Sequence, residues 1–267
     1  MIVPLAAAAL ALYLTASAVQ WRVLARKSGE LAHAPAVLAL AGCGLHGAAL
    51  LVSWREAGGV DVHFFAALSL VALTTAILTA GLSLARPVGA LGVVVYPVTA
   101  MALMLYPFGA TSMPTRAVLE WQIQLHAGLS LLAYAALSLA ALLAIMLWWL
   151  ERALRQRRLG AWIGVFPPLT LVEELMFKLI LAGFTLLTLS LLSGAVFVEN
   201  LFAQHLVHKT VLSLLAWAVF GALLYGRVRH GWRGRRAVRW TLSAMLLLAL
   251  AFFGSKFVLE LVLARST

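Results

Sequence analysis

The chain has 267 residues, 64% hydrophobic and only 11% charged, with a mean hydropathy of +1.00. Soluble domains carry about 25% charged residues, so an ordinary soluble protein is excluded and an integral membrane protein is indicated. The net charge of +11 does not indicate nucleic acid, because the basic residues sit in short loops between long apolar runs.

A helix that crosses a bilayer needs about 20 mostly apolar residues. Taken in order, the runs 2–20, 32–53, 62–85, 89–106, 122–150, 171–197, 207–226 and 238–263 predict eight such helices. The first is read as a retained span and not a cleaved signal peptide. No Lys or Arg precedes it, whereas Arg22, Arg26 and Lys27 follow it. Pro87, Pro107, Pro114 and the pair Pro167–Pro168 fall between runs, as helix breakers should. No linker-like stretch divides the chain, so residues 1–267 are expected to form one membrane domain. The single cysteine, Cys43, lies within an apolar run and offers no disulfide within the chain.

The loop charges set an expected direction. With the N-terminus outside, the inner loops hold fourteen basic residues: Arg22, Arg26 and Lys27; Arg86; Arg152, Arg155, Arg157 and Arg158; and Arg227, Arg229, Arg233, Arg235, Arg236 and Arg239. The outer side holds four, Arg55, Arg116, Lys209 and Arg265. Cytoplasmic loops carry the excess of Lys and Arg, so both termini are expected on the outer, periplasmic side of a bacterial-type inner membrane.

Five of the seven histidines then fall toward the outer face. His205 and His208 precede the seventh run, His126 opens the fifth, His63 opens the third, and His46 lies in the outer part of the second. Imidazole is a general ligand for haem iron, copper and zinc. Residues three apart share a helix face, so His205 and His208 are able to address one centre, with His126 approaching from another helix. Lys209, Arg116 and Arg55 are candidate partners for haem propionates, and Trp121, Phe197 and Phe202 candidate covers for a porphyrin. The bland alternative is that interfacial His, Trp and Lys anchor helix ends at headgroup level. His46 is costlier to place, because a polar residue inside the bilayer is by default a functional candidate. Glu174 and Lys178, four apart, read as an ion pair, as do Lys256 and Glu260. The basic stretch RHGWRGRR at 229–236 reads as a topology signal in contact with anionic lipid.

Four stretches in order carry a family resemblance: LHAGLSLLAYAALSLAALLA at 125–144, PPLTLVEELMFKLILAGFTLLTLSLLSGAVF at 167–197, KTVLSLLAWAVFGALLYGRVRHGWRGRRA at 209–237 and AFFGSKFV at 251–258. Through them, residues 120–258 resemble the core of the cytochrome c assembly protein family, which includes CcsA/ResC- and CcmC-type haem-handling proteins. The look is nearest to its YpjD/HemX-like inner-membrane branch. The resemblance implies an all-α polytopic bundle, a b-type, non-covalent haem, and His126 as an outer-face ligand. It also implies other cytochrome c maturation proteins as partners, beside membrane lipids and without nucleic acid. The family's tryptophan-rich outer segment corresponds here to VENLFAQHLVH at 198–208, which has neither Trp nor Asp. The chain's own residues offer His205 or His208 as the second ligand, and His46 as an intramembrane relay or transfer ligand. No nucleophile–base or paired-carboxylate arrangement is found, so catalysis is not expected. The alternatives are a transporter or accessory subunit of a divalent-cation efflux system, and a scaffold that has lost haem.

Overall fold

The computed structural model describes residues 2–26, 33–57, 63–109, 121–156, 166–197 and 207–254. Within them lie eight long helices: α1 (Ile2–Arg26), α2 (Ala34–Ala57), α3 (Phe64–Ala85), α4 (Gly92–Leu105), α5 (Trp121–Arg155), α6 (Leu169–Phe197), α7 (Val207–His230) and α8 (Gly234–Ala249). Short 3₁₀ turns at Gly89–Leu91 and Tyr106–Gly109 extend α4 at both ends, and a π-turn at Leu250–Gly254 extends α8. No strand occurs among the described residues. With these extensions, all eight segments are long and apolar enough to cross a membrane. The eight expected spans are therefore found. Several helices run further than their apolar cores, through Arg26, Arg155 and His230.

The chain divides into two compact units, the first built from α1–α4 and the second from α5–α8. In the first, α1 turns one stripe inward: Ala9, Tyr13, Ala16 and Gln20 are its buried residues. Their spacing of four, three and four is that of one helix face. Lipid tails are as apolar as leucine, so helices in a membrane associate through close packing and internal hydrogen bonds. Small residues serve that here. A Cβ at Gly42 of α2 would stand 3.3 Å from Leu12 and 3.4 Å from Tyr13 of α1, so the two helices approach closely at that point.

Pro97 lies inside α4, whereas the other prolines named above occupy helix ends or lie outside the described residues, as Pro114 does. Proline has no N–H to give the carbonyl four residues back. That carbonyl belongs to Val93, and Ser17 of α1 donates its hydroxyl to it at 3.1 Å. A backbone group freed by proline within a membrane is thus satisfied by a neighbouring helix. Thr99 Oγ1 likewise donates to Ala72 O of α3 at 3.2 Å.

In the second unit, α5 lies along α6 with little between them. A Cβ at Gly183 would stand 2.6 Å from Leu137 Cγ, too close to be accommodated without movement. Tyr134 donates its hydroxyl to Leu248 O of α8 at 2.5 Å, beside the π-turn, and its ring lies 5.6 Å from that of Phe252. Between α6 and α7, Trp217 stacks on Phe184 at 5.5 Å and donates Nε1–H to Thr188 Oγ1 at 2.9 Å.

Candidate functional site

The candidate site is built around His126, in the second turn of α5. Its Nδ1 lies 3.0 Å from Ser190 O and 3.1 Å from Ser193 Oγ, both on α6. A carbonyl only accepts, so Nδ1 carries the proton and donates. Ser193 gives its own hydroxyl hydrogen to Ser190 O at 2.8 Å, which leaves its oxygen able to accept from the imidazole. Ser130 donates to His126 O at 2.8 Å and lies 2.6 Å from Ser190 Oγ, which is left to be the donor of that pair. Every hydroxyl hydrogen in the cluster is thereby assigned. Nε2 keeps its lone pair, and no described residue hydrogen-bonds it.

Gly194 completes the seat. A Cβ there would stand 3.1 Å from His126 Cε1 and 3.4 Å from Nδ1. The imidazole therefore lies on bare backbone, and a branched residue there would push it away from the Ser190 carbonyl. An imidazole whose one N–H is fixed by a carbonyl while the other nitrogen stays open is the usual arrangement of a metal-ligating histidine. Near it, Trp121 and Phe197 meet edge to face at 5.8 Å, and both are exposed. One turn before His126, the amide oxygen Oε1 of Gln122 is buried without a hydrogen-bond partner.

His46 is placed differently. It is fully buried in the first unit, with Nε2 2.8 Å from Ser69 Oγ of α3 and Nδ1 3.3 Å from the Tyr13 hydroxyl of α1. Tyr13 also reaches Cys43 Sγ at 3.4 Å. Both ring nitrogens are engaged, so a metal at His46 would have to displace one of these partners. His63, also buried, donates Nε2–H to Tyr106 O at 3.1 Å.

The other expected ligands are less completely placed. His205 lies outside the described residues, as do Phe202, Arg116, Lys256 and Glu260. His208 falls in the first turn of α7, and its side chain also lies outside what is described. Among the described residues no group of three or more His, Cys, Asp or Glu is placed to hold a metal ion.

At the far end of α5 is a second polar cluster. At about 1.5 Å per residue, Glu151 stands about 37 Å along the helix from His126. The expected pair Lys178–Glu174 forms at 2.5 Å and is well exposed. Its neighbour Glu173 makes a contact the sequence did not announce: Arg227 of α7 donates Nη1–H to it at 2.6 Å. Arg227 also donates to Trp232 O at 3.2 Å and lies 4.5 Å over the ring of Phe177. The GWRG segment turns because Gly231 and Gly234 take φ of 63° and 55°, a left-handed backbone that suits glycine. The Trp232 ring lies against Gly226, where a Cβ would approach it to 2.4 Å.

Comparison with known proteins places the chain in a family. The family model described as Cytochrome C assembly protein matches residues 31–263. Inner membrane protein YpjD of Escherichia coli (strain K12) is 40% identical over 157 residues, 57% of this chain and 59% of that protein. An uncharacterized 28.8 kDa protein in a nifR3-like 5′ region of Azospirillum brasilense is 36% identical over 143 residues, 53% of each chain. Cytochrome c biogenesis protein CcsA of Prochlorococcus marinus (strain MIT 9215) is 28% identical over 160 residues, 52% of each chain. The chain thus spans between 52% and 59% of the length of these curated relatives. No solved structure matches.

Proposed function

Because the chain belongs to the cytochrome C assembly protein family, we propose that it is a haem-binding membrane protein of cytochrome c biogenesis, with His126 as an axial ligand. The observation that carries this reading is the His126 seat: Nδ1–H is held by the Ser190 carbonyl and Ser193, and Nε2 is left open. The names of the relatives support the setting, since one is an inner membrane protein and another a cytochrome c biogenesis protein.

One open imidazole nitrogen and two apolar rings at this end of α5 support haem as the ligand. Bound haem supplies an iron that accepts a nitrogen on each face, two propionates, and a flat apolar ring. Everything else falls to the chain. Ser190 and Ser193 fix the tautomer and the ring plane of His126, and hydrogen-bonded partners of this kind also raise the basicity of the ligating nitrogen. Gly194 sets how deeply the imidazole sits. Trp121 and Phe197 would provide apolar cover, and Gln122 brings an unpartnered amide oxygen to the same side of the helix. His205 or His208 would supply the second ligand, and the haem would be held without covalent attachment, as a b-type haem is. His46 is assigned to helix packing in the first unit. The excess of basic residues at 227–239 and in the other loops of that side supports a periplasmic position for the His126 end in a bacterial-type inner membrane. Binding and presenting haem to other cytochrome c maturation proteins needs no reaction centre, and the protein is read as having none.

The test is the pyridine haemochrome of detergent-purified protein from cells with intact haem supply. About one b-type haem per chain, with a split α/β pattern on reduction, is expected. Protein that carries no haem and takes none up on reconstitution would overturn the reading.

A further inference from the structure

The α7–α8 turn carries more structure than membrane orientation requires. Orientation depends only on how many Lys and Arg a loop holds. Here the arginines stand on a fixed scaffold. Arg227 is tied to Glu173 and to the Trp232 carbonyl, Trp232 N–H closes on Gly226 O at 3.1 Å, and two left-handed glycines bracket the tryptophan. On this scaffold Arg229, Arg233, Arg235, Arg236 and Arg239 are all exposed. The Arg236 guanidinium stands 5.2 Å over the Trp232 ring, and Trp232 lies 5.1 Å from Trp240.

The carboxylates nearby are few. Glu173 is bound to Arg227, and it lies 3.9 Å from Arg233. Glu151 is turned against the backbone of Gly234. Among the described residues Arg229, Arg235, Arg236 and Arg239 form no ion pair. The cluster therefore holds several cations on a hydrogen-bonded turn, beside indole rings that suit the headgroup level of a bilayer.

We propose that this turn is a binding site for the phosphate headgroup of anionic phospholipids. Arginine forms paired hydrogen bonds with phosphate oxygens, and basic clusters at helix ends recognise acidic lipid headgroups. The site is distinct from the His126 seat, which lies at the other end of α5.

The experiment uses the full chain in nanodiscs of mixed phosphatidylglycerol and phosphatidylcholine, with retained lipids counted by native mass spectrometry. The variant R235Q/R236Q/R239Q removes three of the fourteen basic residues and leaves eleven against four, so the orientation rule still holds. Preference for phosphatidylglycerol is expected to fall about fivefold, with orientation reporters and haem content unchanged. An undiminished preference would overturn the proposal. Should that variant not insert, R235K/R236K/R239K decides. It keeps the charge and removes the paired geometry, so a reduced preference supports the site and an unchanged one refutes it. Release of phosphatidylglycerol by millimolar inorganic phosphate would assign the turn to free phosphate and overturn the lipid assignment.

Discussion

His46 and His126 are both polar residues on apolar helices, and their surroundings give them opposite uses. His46 is sealed in the first unit, with Ser69 on one ring nitrogen and Tyr13 on the other. His126 in the second unit is half-buried, with one nitrogen held by α6 and the other open. A histidine within a membrane helix is thus not a ligand by virtue of its depth. Here the neighbouring helices claim both nitrogens of His46 and one nitrogen of His126.

The comparison can be broken most sharply at the two imidazoles themselves. His126→Ala is expected to lower haem occupancy at least tenfold while leaving the thermal midpoint of the haem-free protein little changed, since Ser190 O keeps its bond from Ser193; removing partners of a ligating histidine already costs about 10–100-fold in affinity. His46→Ala is expected to do the reverse. Haem content stays, and the protein loses about 2 kcal/mol, from two intramembrane hydrogen bonds and the partners left unsatisfied. Denaturation in detergent beside a haemochrome assay separates the two, and equal haem loss in both variants would erase the distinction.

A smaller effect is expected at the seat. Gly194→Val should displace the imidazole from the Ser190 carbonyl and weaken haem binding about tenfold, whereas Gly194→Ala, meeting Cε1 at 3.1 Å, should weaken it only slightly. Titration of apoprotein with haemin measures both. If Gly194→Val binds haem like the wild type, the seat is not what positions His126. Smaller again is Ser17→Ala, which leaves the Val93 carbonyl beside Pro97 without its donor. It should cost about 0.6 kcal/mol, the usual worth of an interhelical hydrogen bond in a membrane, read as a shift in denaturation midpoint. At the bottom lies Lys178→Ala. That exposed pair with Glu174 should contribute about 0.5 kcal/mol or less, falling further with salt.

The eight helices were legible because each needs a run of apolar residues, and such runs stand out in sequence. Their ends were not, because a helix continues into water where Arg and Lys are good helix formers, as at Arg152–Arg155. His126 was legible as a candidate from its place at the mouth of a span and from the family resemblance. Its partners were not. Ser190, Ser193 and Gly194 lie more than sixty residues away, and only the packing of α5 on α6 brings them to the ring. The adjacent pair Glu173 and Glu174 shows the same boundary. Glu174 has a visible partner four residues on, in Lys178, whereas Glu173 points about 100° around the helix, to an arginine 54 residues away. The GWRGRR stretch stood out as a basic loop, but how it turns needed the backbone: two left-handed glycines, and a third that gives room to Trp232.

The most direct test of the central claim is to return an imidazole to an emptied seat. His126→Gly protein is loaded with excess haemin, reduced with and without free imidazole, and its visible spectrum is compared with that of the wild type. The account predicts that the variant loses the sharp low-spin α/β bands and that imidazole restores them. A variant that keeps those bands without imidazole would show that His126 does not ligate the haem.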